Sequence, residues 1–114
     1  MNSRNNQAID WDLINQYRTL LGHDGLNDSI AMLQRVMPDY VVELKAAVVA
    51  RDERTTRSQA QHKIKGSCRS LGLMRVGEVM AWLEKEQWQW QEVDETVAAW
   101  PAQFEQDSAL LTQG

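Results

Sequence analysis

An imidazole is largely neutral near pH 7, so one ring nitrogen keeps a free lone pair for attack on an electrophile. His62 is the histidine whose neighbours suit that use. At helical spacing around it stand Thr55, Ser58, Gln59, Lys65, Gly66 and Arg69, all polar, small or basic. Lys65, about one turn on, can hold an ammonium close to an anion carried by the imidazole. Gly66 costs a helix about 1 kcal/mol relative to Ala. A glycine on this face removes a side chain where a partner could otherwise not approach. Packing against a neighbouring helix is the plainer reason for a helical glycine, but Gly66 lies on the polar row and not on the Ile64 face. Arg69, Ser58 and Gln59 stand on the same row. His23 sits in the turn Gly22-His23-Asp24-Gly25 and has no such company. With Cys68 the lone cysteine and two histidines in all, neither a Cys-rich metal site nor most His-based ones can be built, and no metal ligand set is assigned.

The elements that must position these residues read as helices. The first spans about residues 9–21, with Leu13, Tyr17, Leu20 and Leu21 on one stripe, Asp10 or Asp12 as cap and Gly22 and Gly25 as stops. The second spans about 28–50, capped by Asn27 or Asp28, with Ile30, Leu33, Met37, Tyr40, Val41, Leu44 and Val48 stepping by three and four. Pro38 interrupts it, yet the apolar period stays in phase, so one kinked helix is expected. The His-bearing helix spans about 53–71, capped by Asp52, with Ala60, Ile64, Cys68 and Leu71 inward and Gly72 as stop. A fourth, about 75–86, shows Val76, Val79, Met80 and Leu83. A fifth, about 93–111, shows Val97, Trp100, Phe104, Ser108 and Leu111, with a break or kink expected near Trp100 because of Pro101. Short loops make neighbours antiparallel. The predicted fold is all-α: an antiparallel up-and-down four-helix bundle with an additional N-terminal helix acting as lid or flank, in one domain over residues 1–114.

Composition agrees. The chain has 114 residues, 43% hydrophobic and 25% charged, ordinary for a globular domain. No apolar run is long enough for a membrane span, and the polar start shows no secretory signal. The net charge of −4 is a sum of opposed parts: residues 51–75 carry seven basic and two acidic side chains, while the remainder stands at −9. A basic island of this kind reads either as a solvated helix face or as a dock for an acidic partner. Nucleic-acid binding is opposed by the acidic remainder. Trp88 and Trp90 are expected to pack under the last loop, the acidic run Glu84, Glu86, Glu92, Asp94 and Glu95 to be solvated surface, and Cys68 to be an inert buried thiol.

The run His62-Lys63-Ile64-Lys65-Gly66-Ser67-Cys68-Arg69-Ser70-Leu71-Gly72 resembles the signature of histidine phosphotransfer (HPt) domains: a His, an apolar residue two on, Lys-Gly, a small residue, and an apolar-Gly pair at the end. Met37-Pro38-Asp39 and Ala50-Arg51-Asp52 fit the family's proline-bearing second helix and Asp-led turn, so the similarity covers roughly residues 28–83. Gln61 stands where a small residue is common, as does Cys68. The resemblance implies a phosphoryl carrier and not an enzyme in the strict sense. His62 would accept the group from a receiver-domain aspartate and relay it to another receiver. Lys65 would steady the phosphoryl oxygens, Arg69 with Ser58 or Gln59 would serve docking beside the open position at Gly66, and exposed residues such as Met32 or Val36 would complete the contact. No cofactor is expected on this chain; Mg²⁺ is expected on the partner receiver, which belongs to a hybrid sensor kinase or a response regulator. A monomer is expected, cytoplasmic, either free-standing or the cytoplasmic C-terminal part of a membrane-bound sensor kinase. With no Gly-rich ATP-binding segment, the chain could not phosphorylate itself. The reading of another class is a non-catalytic helical adaptor that docks an acidic partner through its basic face.

Overall fold

The computed structural model describes residues 8–112; the polar stretch 1–7 and the last two residues lie outside them. Four helices among the described residues make the bundle, one of them built in three pieces. Among the described residues the sole strand-like feature is an isolated bridge between Ile9 and Leu73.

Helix α1 runs Trp11–Val49, with the Asp10 carboxylate accepting from the Leu13 amide at 3.1 Å. Its one non-helical residue is Gly22 (φ 78, ψ 170). The expected N-terminal helix is therefore an arm of α1, joined across a kink. Gly25 does not stop the helix, and neither Asn27 nor Asp28 caps a new one, because Gly22 alone absorbs the kink by entering a positive-φ region open to glycine. Gly25 is needed for space: a Cβ there would stand 3.0 Å from the Leu21 Cβ.

The arm also buries a different face from the expected one. Ile14 is fully buried, whereas Leu20 is 80% exposed and Leu21 is exposed. The cause is how the chain enters. The Asp10 amide donates to the Gly72 carbonyl at 2.8 Å, which lays Ile9 and Ile14 against the end of the His-bearing helix. Gly72 (φ 76) makes this approach possible, since a Cβ would meet the Asp10 carbonyl at 3.2 Å. Beyond the kink, Leu26, Ile30, Leu33, Met37, Val41, Leu44 and Val48 are buried as their period requires. Pro38 stays inside the same helix with its ring on the solvent side.

The His-bearing helix comprises α2 (Glu53–Gln59), a π-helical segment (Ala60–Lys65) and α3 (Gly66–Ser70). The joints stay helical: Ala60 has φ −61, ψ −43 and Gly66 has φ −63, ψ −40. Asp52 caps its start, accepting from the Thr55 amide at 3.0 Å. Its buried residues are Thr56, Ala60, Ile64 and Cys68, each four after the last. In a pure α-helix three steps of four would drift about 120° around the axis. The wider π turn takes up that drift and keeps all four inward. Leu71 is only half-buried.

Helix α4 (Met74–Lys85) and α5 (Trp90–Leu111) close the bundle. The α5 helix starts three residues before the expected point because Gln89 and Glu92 form a capping box. It runs through Pro101 unbroken, and Val97, Trp100, Phe104, Ser108 and Leu111 are buried as expected. The Trp100 indole donates to the Val76 carbonyl at 3.0 Å. Trp88 and Trp90 pack edge-to-face at 4.9 Å against the core, under guanidinium groups from Arg57 and Arg51.

Candidate functional site

His62 is the third residue of the π-helical segment and is exposed, while Ile64 beside it is fully buried. Burying that isoleucine contributes about 1.5–3 kcal/mol, enough to fix which side of the turn faces out. Where the turn is wide, residues four apart line up best, so His62 shares an outer row with Ser58 and Gly66, both exposed. A Cβ added at Gly66 would meet nothing within 4 Å, so its function is not to admit a neighbouring helix. The space over it is open.

The other expected residues are engaged elsewhere. The Lys65 ammonium is held by the Glu84 carboxylate of α4, and the two side chains are only 17% and 14% exposed. It does not point freely outward, and Glu84 is not the solvated acid expected of it. The Gln59 amide donates to Glu43 of α1 at 2.6 Å. Arg69 pairs with Glu78 at 2.7 Å and lies over Gly77, where a Cβ would stand 2.9 Å from the Arg69 Cγ. Lys63 extends over the Tyr40 ring, 5.8 Å from its centroid.

The same pairing runs through the whole basic segment. Arg51 makes a two-pronged pair with Asp94 at 2.7 and 3.0 Å. Arg75 reaches Asp107, which is fully buried and also accepts from Gln103 at 2.9 Å. Arg57 pairs with Glu53, and its Nη1 donates to the carbonyls of Leu83, Glu84 and Glu86, capping the C-terminal end of α4. Five of the seven cations in residues 51–75 are thus neutralised within the chain, which removes most of the basis for an adaptor that works by its basic face. Cys68 is buried, and burial, with the Asp107 charge adding to it, pushes its thiol up to about 12. It is no nucleophile.

Sequence reasoning missed Glu84, although its place four residues after buried Met80 was a signal that it faces inward. It named Met32 and Val36 without placing them. Met32 is 51% exposed, and with Val36 and Tyr40 it lines an open groove whose other wall is Ser67, Ser70 and Leu71 of the His-bearing helix. Tyr17 and Leu21 from the α1 arm form its end. Among the described residues no three His, Cys, Asp or Glu side chains gather as a metal site would need, and no helix is long and apolar enough to cross a membrane.

Residues 28–110 match the Hpt domain family. The sequence is 27% identical over 117 residues, 89% of this chain, to the aerobic respiration control sensor protein ArcB of Escherichia coli (strain K12), and equally to that of Shigella flexneri. The chain spans about 15% of the length of these relatives. Two solved structures share its fold. The histidine-containing phosphotransfer domain of ArcB from Escherichia coli has a TM-score of 0.83 at 25% identity, covering 97% of this chain and 93% of that one. A solution structure of the ArcB phosphotransfer domain has a TM-score of 0.82 at 24% identity, covering 99% and 94%. With a bundle of this form and a family match over most of its length, the chain belongs to the Hpt domain family and is a histidine phosphotransfer module of phosphorelay signalling.

Proposed function

We propose that His62 is the residue that carries the phosphoryl group, taking it from the aspartate of one receiver domain and giving it to another. The observation that supports this most directly is the outer row: an exposed imidazole on a wide helical turn, with open space over Gly66 one turn on. In the reaction a ring nitrogen of His62 attacks phosphorus in line. The N–P bond forms as the acyl-phosphate P–O bond breaks, and its electron pair leaves on the aspartate oxygen. Transfer to the second receiver is the reverse. Such a transfer depends mainly on positioning and on neutralising the oxygens. Lys65 serves the second need, for an ammonium has three N–H donors and its bond to Glu84 occupies one. The divalent cation is assigned to the receiver.

The receiver would rest on the groove beside the acceptor, with Met32 and Val36 as its apolar floor and Ser67 and Ser70 as polar wall. Ser58 and Gly66 would lie at the point of closest approach. The test is label transfer from a phosphorylated receiver. His62→Gln is expected to abolish it, with His23 left in place as an internal control. Transfer that survives in His62→Gln would remove His62 from the acceptor role.

A further inference from the structure

Of the five ion pairs among the described residues, the pair from Lys65 to Glu84 is the one whose two partners are both largely enclosed. Enclosure weakens solvent screening, so the carboxylate cancels much of the ammonium's field. The last carbonyls of α4 are occupied by the Arg57 guanidinium, so the charge set against Lys65 is that of the Glu84 carboxylate. A phosphoryl group brings up to about two negative charges. On His62 it would meet a nearly balanced pair and not a bare cation.

We propose that Glu84 withholds part of the Lys65 charge from a phosphoryl group on His62, and so keeps the phosphohistidine ready to give the group up. Glu84 is a positioning residue here, acting on the phosphoryl group's surroundings without touching the reacting atoms. The proposal rests on His62 being the acceptor. Lys65 pulls toward a long-lived phosphohistidine and Glu84 pulls the other way, so removing each one has opposite consequences.

The experiment loads the full chain, carrying His23→Gln so that His62 is its sole imidazole, with phosphoramidate and with no receiver present. A His62 nitrogen attacks phosphorus, the bond to the ammonia nitrogen breaks, ammonia leaves, and the ring proton passes to buffer. Loss of label is then followed by phosphorus NMR: water attacks phosphorus, the N–P bond breaks with its pair returning to the imidazole, and phosphate is released. Glu84→Gln, which keeps an acceptor oxygen for Lys65, is expected to lengthen the lifetime about fivefold, the scale of a partly screened charge pair. Glu84→Met, a second neutral side chain of similar length, is expected to do the same, and Glu84→Asp to stay near this parent chain. Lys65→Ala is expected to shorten it. A merely structural pair would shorten it, or leave it unchanged, on either side. Lifetimes in the two neutral Glu84 variants equal to or below the parent's overturn the proposal and leave the acceptor assignment standing. A parent chain that takes no label, or a His62→Gln chain that does, overturns both.

Discussion

Lys65 has two partners to serve, a phosphoryl group in transit and the Glu84 carboxylate at rest. The sequence places it one turn beyond His62, and from that spacing alone its removal would affect transfer without touching the fold. The structure makes it a tie between the His-bearing helix and α4 as well. Lys65→Ala leaves a largely enclosed carboxylate without its cation, a situation between an exposed and a buried ion pair, so it is expected to cost about 1–2 kcal/mol of stability. Chemical denaturation checks that cost, and transfer from a receiver should slow in the same variant. A normal denaturation midpoint together with slow transfer would return Lys65 to a purely chemical role. The outer row of Ser58, His62 and Gly66 was legible in the sequence because residues four apart on one helix face the same way. Glu84 was not, because its partner is 19 residues distant and only the packing of two helices brings them together.

At the scale of elements, the His-bearing helix buries Thr56, Ala60, Ile64 and Cys68 by widening into a π turn, and that turn displays His62. The step of four from Ala60 through Ile64 to Cys68 is visible in the sequence, but over two turns it differs little from an ordinary three-and-four stripe. Leu71 would continue that stripe, whereas the π turn brings Thr56 inward instead. Pro38 lies in the long arm of α1 beyond the Gly22 kink, Pro101 lies inside α5, and the two line one cleft between these helices. A helical proline forgoes one backbone bond and crowds the carbonyl one turn earlier, yet α5 continues through Pro101 with Trp100 and Phe104 buried on either side of it, so the break or kink expected near Trp100 is not a break. The glycines separate by backbone angle. Gly66 has helical angles and open space beyond it, so Gly66→Ala is expected to raise stability by about 1 kcal/mol. In the same variant the methyl group stands beside His62 where the receiver approaches, and transfer is expected to slow. Denaturation and transfer assays on one preparation check the two effects. A stabilised variant that transfers at the wild-type rate would show that the receiver does not need this space. Gly72 offers the reverse case: its positive φ and its contact with the Asp10 carbonyl make alanine destabilising there.

Over the whole molecule, the charge asymmetry has a different meaning from the one its sum suggested. The basic stretch 51–75 and the acidic remainder largely find each other within the fold: Arg51, in the turn before the His-bearing helix, ties to α5, Lys65 and Arg69 tie that helix to α4, and Arg75 ties α4 to α5. Arg54 and Lys63 take part in none of these ion pairs, so long-range steering of an acidic partner rests on few charges. The consequence is a pH-dependent stability. The Arg51 guanidinium, by its hydrogen bonds and then its charge, holds the Asp94 carboxyl below the usual carboxylate range. The Thr55 amide and hydroxyl do the same for Asp52, the cap of α2. A carboxyl whose folded value lies below its unfolded value of about 3.9 adds stability that is fully present above that value and is lost as pH falls through the folded one. Wild type is therefore expected to melt above Asp94→Asn at pH 7, and the gap is expected to close as the pH falls below about 4. Both side chains of this pair are open to solvent, so salt is expected to shrink the gap at neutral pH as well. Melting curves of the two proteins from pH 7 to pH 2, at low and high salt, check it. A gap that persisted at pH 2 would mean that Asp94 stabilises the fold by shape and not by charge.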